Sequence, residues 1–419
     1  MRAALIRTIA VFALFLAPFQ VCLAQQDTTV VRISKEWTRL FEIIDEYYLE
    51  DINHYRCYQQ AQVSGISGCL DSFSEYFSYE EYVRFTEEVN RHYAGVGMRV
   101  ARRGNHFVLF PFPGTPAARA GILPYDVLAQ VDSTRVTYDR EITDSDQRDV
   151  VRRIRGEPGT IVQLVVQRGD SLLLPFTMQR EEITYPSLAA KVIDADTAGA
   201  DSIGFIGIYS ESDKTAEELA RAMDDFIGRG IRKFVYDLRG NPGGSFQEAL
   251  DMLQLFSPAA GYLMVTKREK YTKGLYVAQA PGRYRGINIV LLTDGFTASA
   301  AEIFAGVLQD WGVAEIVGKP TFGKGVGQTL VPLWGGLVPD PGSPVLKITS
   351  FRFLLGRDQA QLSADSTLQP DYMVEFTLTQ DEVEQFRREA ANINLATDVY
   401  INPVLDKQLK KAVELLREK

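Results

Sequence analysis

The spacing of hydrophobic residues changes along the chain and predicts regions of different structure. From Val31 to Tyr48 apolar residues recur every three or four positions, which predicts an amphipathic helix, and a shorter helical segment follows at 55–70. Between about 91 and 185, short β-like runs alternate with glycine and proline, which predicts a compact β-rich module. The pattern therefore indicates a small helical region followed by a separate β-rich region.

From Ser202 onward, predicted strands and helices alternate. The predicted strands are 203–208, 233–238 and 287–293. Four helices are predicted: one capped by Asp213, one that contains Leu250 and Leu253, one at 298–309 and one at 402–419. Repeated strand–loop–helix units predict an α/β layer with a largely parallel sheet. In such sheets the functional loops lie at the carboxyl ends of the strands.

The composition is that of an ordinary globular protein. Of 419 residues, 46% are hydrophobic and 24% are charged, so the chain has enough apolar material for a buried core. The formal net charge is −9 and no basic stripe is present, so there is no electrostatic reason to expect nucleic-acid binding. The three histidines, His54, His92 and His106, all lie within the first 106 residues of the chain.

Residues 1–24 have the pattern of a signal peptide. Two arginines flank the start of an apolar run, and the run ends in a small-residue cleavage site at Ala24. We therefore expect an exported protein, periplasmic if the source is a Gram-negative bacterium; an uncleaved signal would leave it membrane-associated. Cleavage leaves two cysteines, Cys57 and Cys69, which form either a disulfide or two buried thiols.

Two loops that follow predicted strands carry the candidate chemistry. Residues 237–244 and 293–300 each end by opening a helix, where free backbone N–H groups and the helix dipole favour negative charge. Ser299 in the second loop is therefore a candidate nucleophile whose oxyanion would be held by backbone donors. From this pattern alone, an ordinary helix-capping serine is the favoured interpretation.

A nucleophilic serine needs a base, and all three histidines lie outside the α/β region. Lys324 is the candidate, because it lies among apolar residues and glycines, and a lysine can act as a base if burial lowers its pKa enough to leave it neutral. The alternative is a solvent-exposed loop lysine. No cysteine or histidine cluster with metal-ligand spacing is present, so we expect no metal and no cofactor.

In combination, several segments resemble the carboxyl-terminal processing proteases, the tail-specific serine peptidases of family S41. The segments similar to that family are Leu70–Phe77, 237–244, Thr297–Ile303, Gly323–Gly325 and Gln328, and Gly114–Ile122 with Asp126–Leu128 is similar to a PDZ domain. The resemblance covers nearly the whole chain after the signal. It implies a serine–lysine dyad in which Ser299 is the nucleophile, Lys324 is the general base and Gln328 orients Lys324.

The resemblance also implies two sites built from backbone groups. An oxyanion hole would be formed by the N–H of Ala300 and that of either Gly243 or Gly244. A peptide-binding loop of the PDZ-like module would consist of Gly95, Val96, Gly97 and Met98. In this loop the glycines allow the N–H groups to turn inward, and the two apolar side chains line a pocket.

The implied fold is a multidomain α/β protein with a ClpP/crotonase-like protease core, an inserted β-rich PDZ domain and a helical N-terminal region. The boundaries are a signal peptide at 1–24, an N-terminal helical region at 25–90, a PDZ domain at 91–185, the S41 peptidase core at 186–376 and a C-terminal helical segment at 377–419.

The resemblance implies an exported serine endopeptidase that cleaves protein substrates recognised through their C-terminal tails by the PDZ domain. The expected partners are proteins or peptides with free C-termini. The sequence leaves open whether the protein also has an activating partner or forms a homodimer. One alternative is a non-catalytic, PDZ-bearing peptide-binding protein on an S41-like core, which the presence of Ser299, Lys324 and Gln328 disfavours. Another is a crotonase-like acyl-CoA enzyme, which the export signal and the PDZ-like insert disfavour.

Overall fold

The computed structural model describes most of the chain. The described residues are 31, 33–89, 92–112, 114–169, 172–184, 187–194, 201–336, 338–356, 360–375, 379, 381–382, 385, 388–389, 401–402 and 404–419. They belong to two compact units: the first extends to Tyr82 and includes Glu269–Thr272 and Gln328–Phe351, and the second comprises Val83–Arg268, Lys273–Gly327 and Arg352–Lys419. The predicted signal peptide lies outside the described residues. Within the described ranges, no helix is long and apolar enough to cross a membrane.

The first unit contains the predicted N-terminal helices. Its helices are α1 (33–47), α2 (His54–Ser64) and the start of α3 (Tyr79–Val89), with a 3₁₀ turn at Ile66–Gly68 and strand β1 at Glu75–Phe77. The amphipathic pattern of α1 is explained by its buried face, on which Leu40, Ile43 and Ile44 pack into one hydrophobic core. Strand β1 pairs antiparallel with the start of a long strand at Val345–Leu355.

Cys57 on α2 and Cys69 after the 3₁₀ turn are joined by a disulfide. Their Cα atoms are 4.8 Å apart, and Cys57 is buried in the core of the first unit. Closing a loop of this length stabilises the fold by roughly 3 kcal/mol in the chain-entropy model.

The β-rich module lies within the second unit. Its strands are β2 (His92–Gly95), β3 (Met98–Arg103), β4 (His106–Pro111), β5 (Asp126–Val131), β6 (Thr134–Arg135), β7 (Ile161–Arg168), β8 (Leu172–Gln179) and β9 (Glu181–Thr184), with helices α4 (Pro116–Ala120) and α5 (Asp144–Ile154). Five strands form an antiparallel sheet in the order β3-β4-β5-β7-β8, so β3 is an edge strand. The module has its own hydrophobic core, which includes Phe107, Leu128 and Leu164.

A six-stranded sheet forms the centre of the second unit. Its strands, in spatial order, are β10 (Leu188–Ile193), β11 (Ile203–Ile208), β12 (Lys233–Asp237), β15 (Asn288–Thr293), β16 (Ala314–Gly318) and β20 (Tyr372–Met373). Only β10 runs antiparallel to its neighbour, and the other pairs are parallel. The prediction of a largely parallel sheet is therefore confirmed. The continuous apolar runs that predicted these strands are explained by burial on both faces.

Helices cover both faces of this sheet. Helices α6 (Thr215–Gly228), α7 (Phe246–Gln254) and α8 (Ala300–Asp310) connect successive parallel strands, and the C-terminal helix α9 spans Lys407–Arg417. Aromatic contacts join Tyr236 of β12 to Phe256 and to Phe304 of α8. Helix α9 covers the other face of the sheet, where it packs on Val235 and Val290. Val235 precedes Tyr236 in β12, and successive side chains of a strand point to opposite faces.

The remaining strands complete the two units. They are β13 (Leu263–Glu269) and β14 (Lys273–Val277), which form an antiparallel hairpin, β17 (Val326–Pro332), β18 (Val345–Leu355) and β19 (Ala360–Gln361). The predicted domain boundaries stay predictions; residues 328–351, which the sequence places in the peptidase core, lie in the compact unit that contains the N-terminal helices. The predicted cap at Asp213 is wrong by one residue, because Lys214, with φ 70°, occupies the N-cap of α6.

Candidate active site

The two loops singled out by the sequence follow neighbouring parallel strands, β12 and β15, and therefore lie at the same edge of the sheet. Three hydrogen bonds join them. The Thr297 hydroxyl donates to the Leu238 carbonyl at 2.8 Å, the Ala298 N–H donates to the Asn241 carbonyl at 2.9 Å, and the Asp294 carboxylate accepts the Gly240 N–H at 2.9 Å. The loop that carries Ser299 is thus fixed to the glycine-containing loop.

Ser299 has a strained backbone at the start of α8. Its φ is 57° and its ψ is −118°, a conformation that a non-glycine residue rarely adopts. Such strain costs about 1–3 kcal/mol and is typical of functional sites. The side chain is partly exposed while its neighbours Ala298 and Ala300 are buried. Ser299 is therefore presented to solvent from a rigid turn.

Glu302 links the Ser299 turn to the Lys324 loop. Its fully buried carboxylate accepts the Ser299 N–H at 2.7 Å and the Lys324 N–H at 2.9 Å through Oε2. Through Oε1 it accepts the Thr321 hydroxyl at 2.5 Å and the Gly323 N–H at 2.7 Å. One carboxylate therefore positions the backbones of both predicted members of the dyad.

Sequence reasoning did not identify Glu302, although a signal for it was present. Ser299 and Glu302 have the Ser-x-x-Glu spacing of a capping box, in which the glutamate accepts the N–H of the N-cap residue. The hydrogen bond from the Ser299 N–H is that interaction. The three bonds to 321–324 depend on tertiary structure and have no local signature.

We expect Glu302→Gln to lower kcat by about 100-fold, the order seen when catalytic geometry is misplaced by about 1 Å. The side-chain amide of glutamine has only one acceptor oxygen, so its N–H₂ group would face two of the four donors whose hydrogen bonds Glu302 accepts. The matched control is Glu248→Gln, because Glu248 also accepts two backbone N–H groups, those of Lys214 and Ala216, at the start of α6. Steady-state kinetics on both variants test this, and equal activities would contradict it.

The two glycines proposed for the oxyanion hole are in different environments. Gly243 is buried, with φ 94°, and its N–H donates to the Asn241 side chain at 2.8 Å. A Cβ on Gly243 would lie 2.8 Å from the Ala300 nitrogen, so the turn packs directly on the start of α8. Gly244 is exposed and lies opposite Glu211 in an isolated parallel β-bridge. In this bridge the Glu211 N–H donates to the Gly243 carbonyl and the Ser245 N–H donates to the Glu211 carbonyl, so the N–H of Gly244 itself points away from Glu211.

Lys324 is half-buried in the second unit, whereas Gln328 lies on the part of β17 that belongs to the first unit. The Gln328 side chain donates to the Thr349 hydroxyl at 3.2 Å. Its orienting role toward Lys324 stays a prediction. Of the histidines, His54 lies on α2 and contacts Asp45 at 2.8 Å, and His106 is exposed on β4.

The predicted peptide-binding loop connects β2 and β3. Val96 is fully buried and Met98 nearly so, both within the core of the β-rich module, so these side chains pack inward instead of lining an open pocket. Gly97 has φ 72°, and a Cβ there would lie 2.3 Å from Thr115, so the turn requires glycine. The carbonyls of Val96 and Gly97 accept the N–H groups of Ala117 and Phe112 at 2.8 and 3.0 Å.

Arg99 on β3 connects this module to the candidate active site. Its guanidinium lies over the Phe110 ring at 4.6 Å and so close to Gly240 that a Cβ on that glycine would lie 1.5 Å from Nη1. Burial lowers the pKa of Arg99, and the nearby carboxylates of Asp294 and Asp237 oppose this change. The edge strand of the module is thus in contact with the loop that precedes Gly243.

The part of the chain that forms the central sheet matches a known protein family. Residues 202–374 match the family profile described as Peptidase family S41. Residues 202–374, the segment that carries Ser299 and Lys324, are therefore similar to the S41 peptidases.

Two bacterial relatives and one solved structure illustrate the similarity. The chain is 28% identical over 316 residues to the carboxy-terminal processing protease CtpB of Bacillus subtilis, covering 75% of this chain and 64% of that protein. It is 30% identical over 292 residues to CtpA of the same organism, covering 70% and 60%. The chain thus spans less than two thirds of the length of these relatives. The fold is similar to that of the photosystem II D1 C-terminal processing protease, with a TM-score of 0.57 and 20% identity over 86% of this chain and 99% of that one.

Proposed function

We propose that this protein is a serine endopeptidase in which Ser299 and Lys324 form the catalytic dyad. The observation that carries the proposal is the Glu302 carboxylate, which holds the backbone N–H groups of Ser299 and Lys324 at 2.7 and 2.9 Å. A buried group with this arrangement positions a nucleophile and a base together, which a helix-capping serine and a loop lysine do not require.

The reaction follows from these positions. Neutral Lys324 would accept the Ser299 hydroxyl proton as Oγ attacks a peptide carbonyl, and the N–H groups of Ala300 and Gly244 would hold the developing oxyanion. We choose Gly244 over Gly243 because the Gly243 N–H is already donated to Asn241. Lys324 then returns the proton to the leaving amine, and water hydrolyses the acyl-enzyme by the reverse sequence of proton transfers.

The loops of the dyad also present two exposed aromatic side chains. Phe296 is 55% exposed and Phe322 is 50% exposed, and the Phe322 N–H donates to the Thr297 carbonyl at 2.9 Å. Large aromatic side chains held toward solvent on rigid loops are typical of binding surfaces. Phe296 and Phe322 therefore favour binding of a polypeptide substrate that has apolar residues near the cleaved bond.

We further propose that the β-rich module is a PDZ domain that binds the C-terminal tail of the substrate. Among the described residues, the N–H groups of Val96 and Gly97 have no acceptor, so they are available to a terminal carboxylate. Strand β3 is paired on one side only, and its Val100 carbonyl accepts the Gln147 side chain of α5 at 2.8 Å. A bound tail would pair with this edge. The homology to carboxy-terminal processing proteases supports this assignment.

The proposed export of the protein rests on residues 1–24 and on the Cys57–Cys69 disulfide, which is typical of oxidising compartments. Purified mature protein incubated with an unstructured protein substrate tests the function as a whole. We expect fragments that wild-type protein produces and Ser299→Ala does not. Absence of fragments with wild-type protein, or equal fragmentation by both, would refute the proposal.

Recognition of the tail predicts a dependence on the substrate C-terminus. A protein ending in a free, apolar residue should be cleaved with about tenfold higher kcat/KM than the same chain amidated or ending in Asp, because the carboxylate would accept charge-assisted hydrogen bonds from the loop. Side-by-side kinetics on one substrate with the three termini measure this. Equal rates for free and amidated tails would remove carboxylate recognition while leaving the dyad intact.

A further inference from the structure

Glu211, in the loop after β11, is a buried acidic residue that the proposed reaction does not use. Its side chain is fully buried, and Oε1 accepts the Asn241 side-chain N–H at 2.9 Å. Oε2 has no hydrogen-bond partner among the described residues. Burying a carboxyl group with an unpartnered oxygen costs stability, and such groups are characteristic of functional sites.

Asn241 connects Glu211 to the candidate oxyanion turn. Its side-chain N–H₂ donates to Glu211 and to the Ile208 carbonyl at 3.1 Å, and its side-chain oxygen accepts the Gly243 N–H at 2.8 Å. The two ends of an asparagine amide are nearly the same size, so the acceptors decide which end faces Gly243. Glu211 supplies one of the two acceptors that direct the nitrogen away from the turn.

The backbone of Glu211 contacts the same turn. The Ser245 N–H donates to the Glu211 carbonyl at 2.6 Å, and a Cβ on Gly244 would lie 2.1 Å from that carbonyl oxygen. Charged groups on the neighbouring elements have other partners: Arg239 pairs with Asp237 and Asp406, and Glu248 accepts backbone N–H groups at the start of α6.

We propose that Glu211 is a positioning residue of the oxyanion turn: its carboxyl group fixes the side-chain amide of Asn241 and thereby the backbone of Gly243 and Gly244. This inference rests on the proposed peptidase function, because it assigns Glu211 a role in the geometry of that active site.

The burial of Glu211 predicts how the stability of its variants changes with pH. Burial raises the pKa of Glu211 from its ordinary 4.5 to about 7, and the hydrogen bond from Asn241 opposes this shift. The folded protein therefore keeps a proton that the unfolded chain releases, so stability is lost as the pH rises through the window between these values. Removing the carboxyl group should accordingly stabilise the fold, and more so at pH 8 than at pH 5.

The test compares Glu211→Leu, Glu211→Gln and Thr266→Val. Leucine removes the acceptor and the unpartnered oxygen, so we expect kcat to fall about 100-fold, KM to change by less than about threefold, and Tm to stay equal or rise, most at pH 8. Glutamine keeps an acceptor for Asn241 and should retain activity within about threefold of wild type. Thr266, also fully buried with an unpartnered oxygen, is the matched control and should keep full activity when changed to valine.

Amide hydrogen exchange over 239–246 measures the turn without relying on catalysis. Glu211→Leu should exchange this segment about tenfold faster than wild type, because Gly243 loses a fixed acceptor. Unchanged exchange, unchanged kcat in Glu211→Leu, or a fall in kcat accompanied by a fall in Tm would overturn the proposal. Wild-type protein without cleavage dependent on Ser299 would refute the peptidase function instead, and the exchange data would still decide whether Glu211 orders the turn.

Discussion

Ser299→Ala is expected to remove essentially all peptidase activity while leaving the fold intact. Loss of the nucleophile in serine peptidases costs about 10⁶-fold in kcat, because the remaining groups cannot form an acyl-enzyme. The fold should persist because the Ser299 backbone, which donates to Glu302, keeps its hydrogen bond in alanine. Little change in stability is expected from the φ of 57°, because serine and alanine both carry a Cβ and tolerate this conformation equally poorly.

Cleavage rates and thermal unfolding of wild-type and Ser299→Ala protein measure this. Full activity in the alanine variant would contradict the assignment of Ser299. A variant that loses activity only together with its folded structure would likewise fail to support it, and circular dichroism separates that outcome from a loss of chemistry.

Lys324→Arg is expected to be inactive, with a loss of at least about 10³-fold in kcat, of the order of losing general acid–base catalysis. A guanidinium stays protonated and cannot accept the Ser299 proton, although it keeps the positive charge and most of the length of lysine. The Lys324 backbone N–H would still donate to Glu302, so the loop should be retained. A purely structural lysine would tolerate this change.

The pH dependence of the wild-type enzyme distinguishes a lysine base from a histidine base. Activity should rise with pH, because only the neutral lysine accepts a proton, and the rise should occur below the roughly 10.4 of a free lysine side chain. A profile that follows a histidine and disappears on replacement of His92 or His106 would contradict the dyad. His54 lies on α2 in the first unit and is hydrogen-bonded to Asp45, so it serves as a control position.

Elements with strong local patterns could be predicted from the sequence. The strand predicted at 203–208 has the same limits in the structure, because a short, wholly apolar run fits a strand that is buried on both faces of a sheet. The C-terminal helix was predicted from its apolar spacing, and it begins later, at Lys407, because Asp406 caps it through the Gln408 and Leu409 N–H groups. Local composition decides these elements.

Features that depend on distant pairing could not be predicted. Residues 328–351 pack with the N-terminal helices because β1 pairs with β18, a register that no local pattern encodes. Glu211 and Gly244 become neighbours only when the loop after β11 pairs with the turn after β12. Val96 was expected to line a pocket, but it is fully buried in the structure. The sequence pattern of an apolar residue between two glycines is the same whether the side chain faces a ligand or the core.

Covalent labelling tests the central claim, that Ser299 is a nucleophile activated by Lys324, most directly. Wild-type protein treated with a fluorophosphonate probe should gain one adduct, and peptide mapping by mass spectrometry should place it on Ser299. Lys324→Arg should label at least about 100-fold more slowly, since the probe reacts with an activated hydroxyl. An adduct on any other residue, or equal labelling of wild-type and Lys324→Arg protein, would contradict the Ser299–Lys324 dyad.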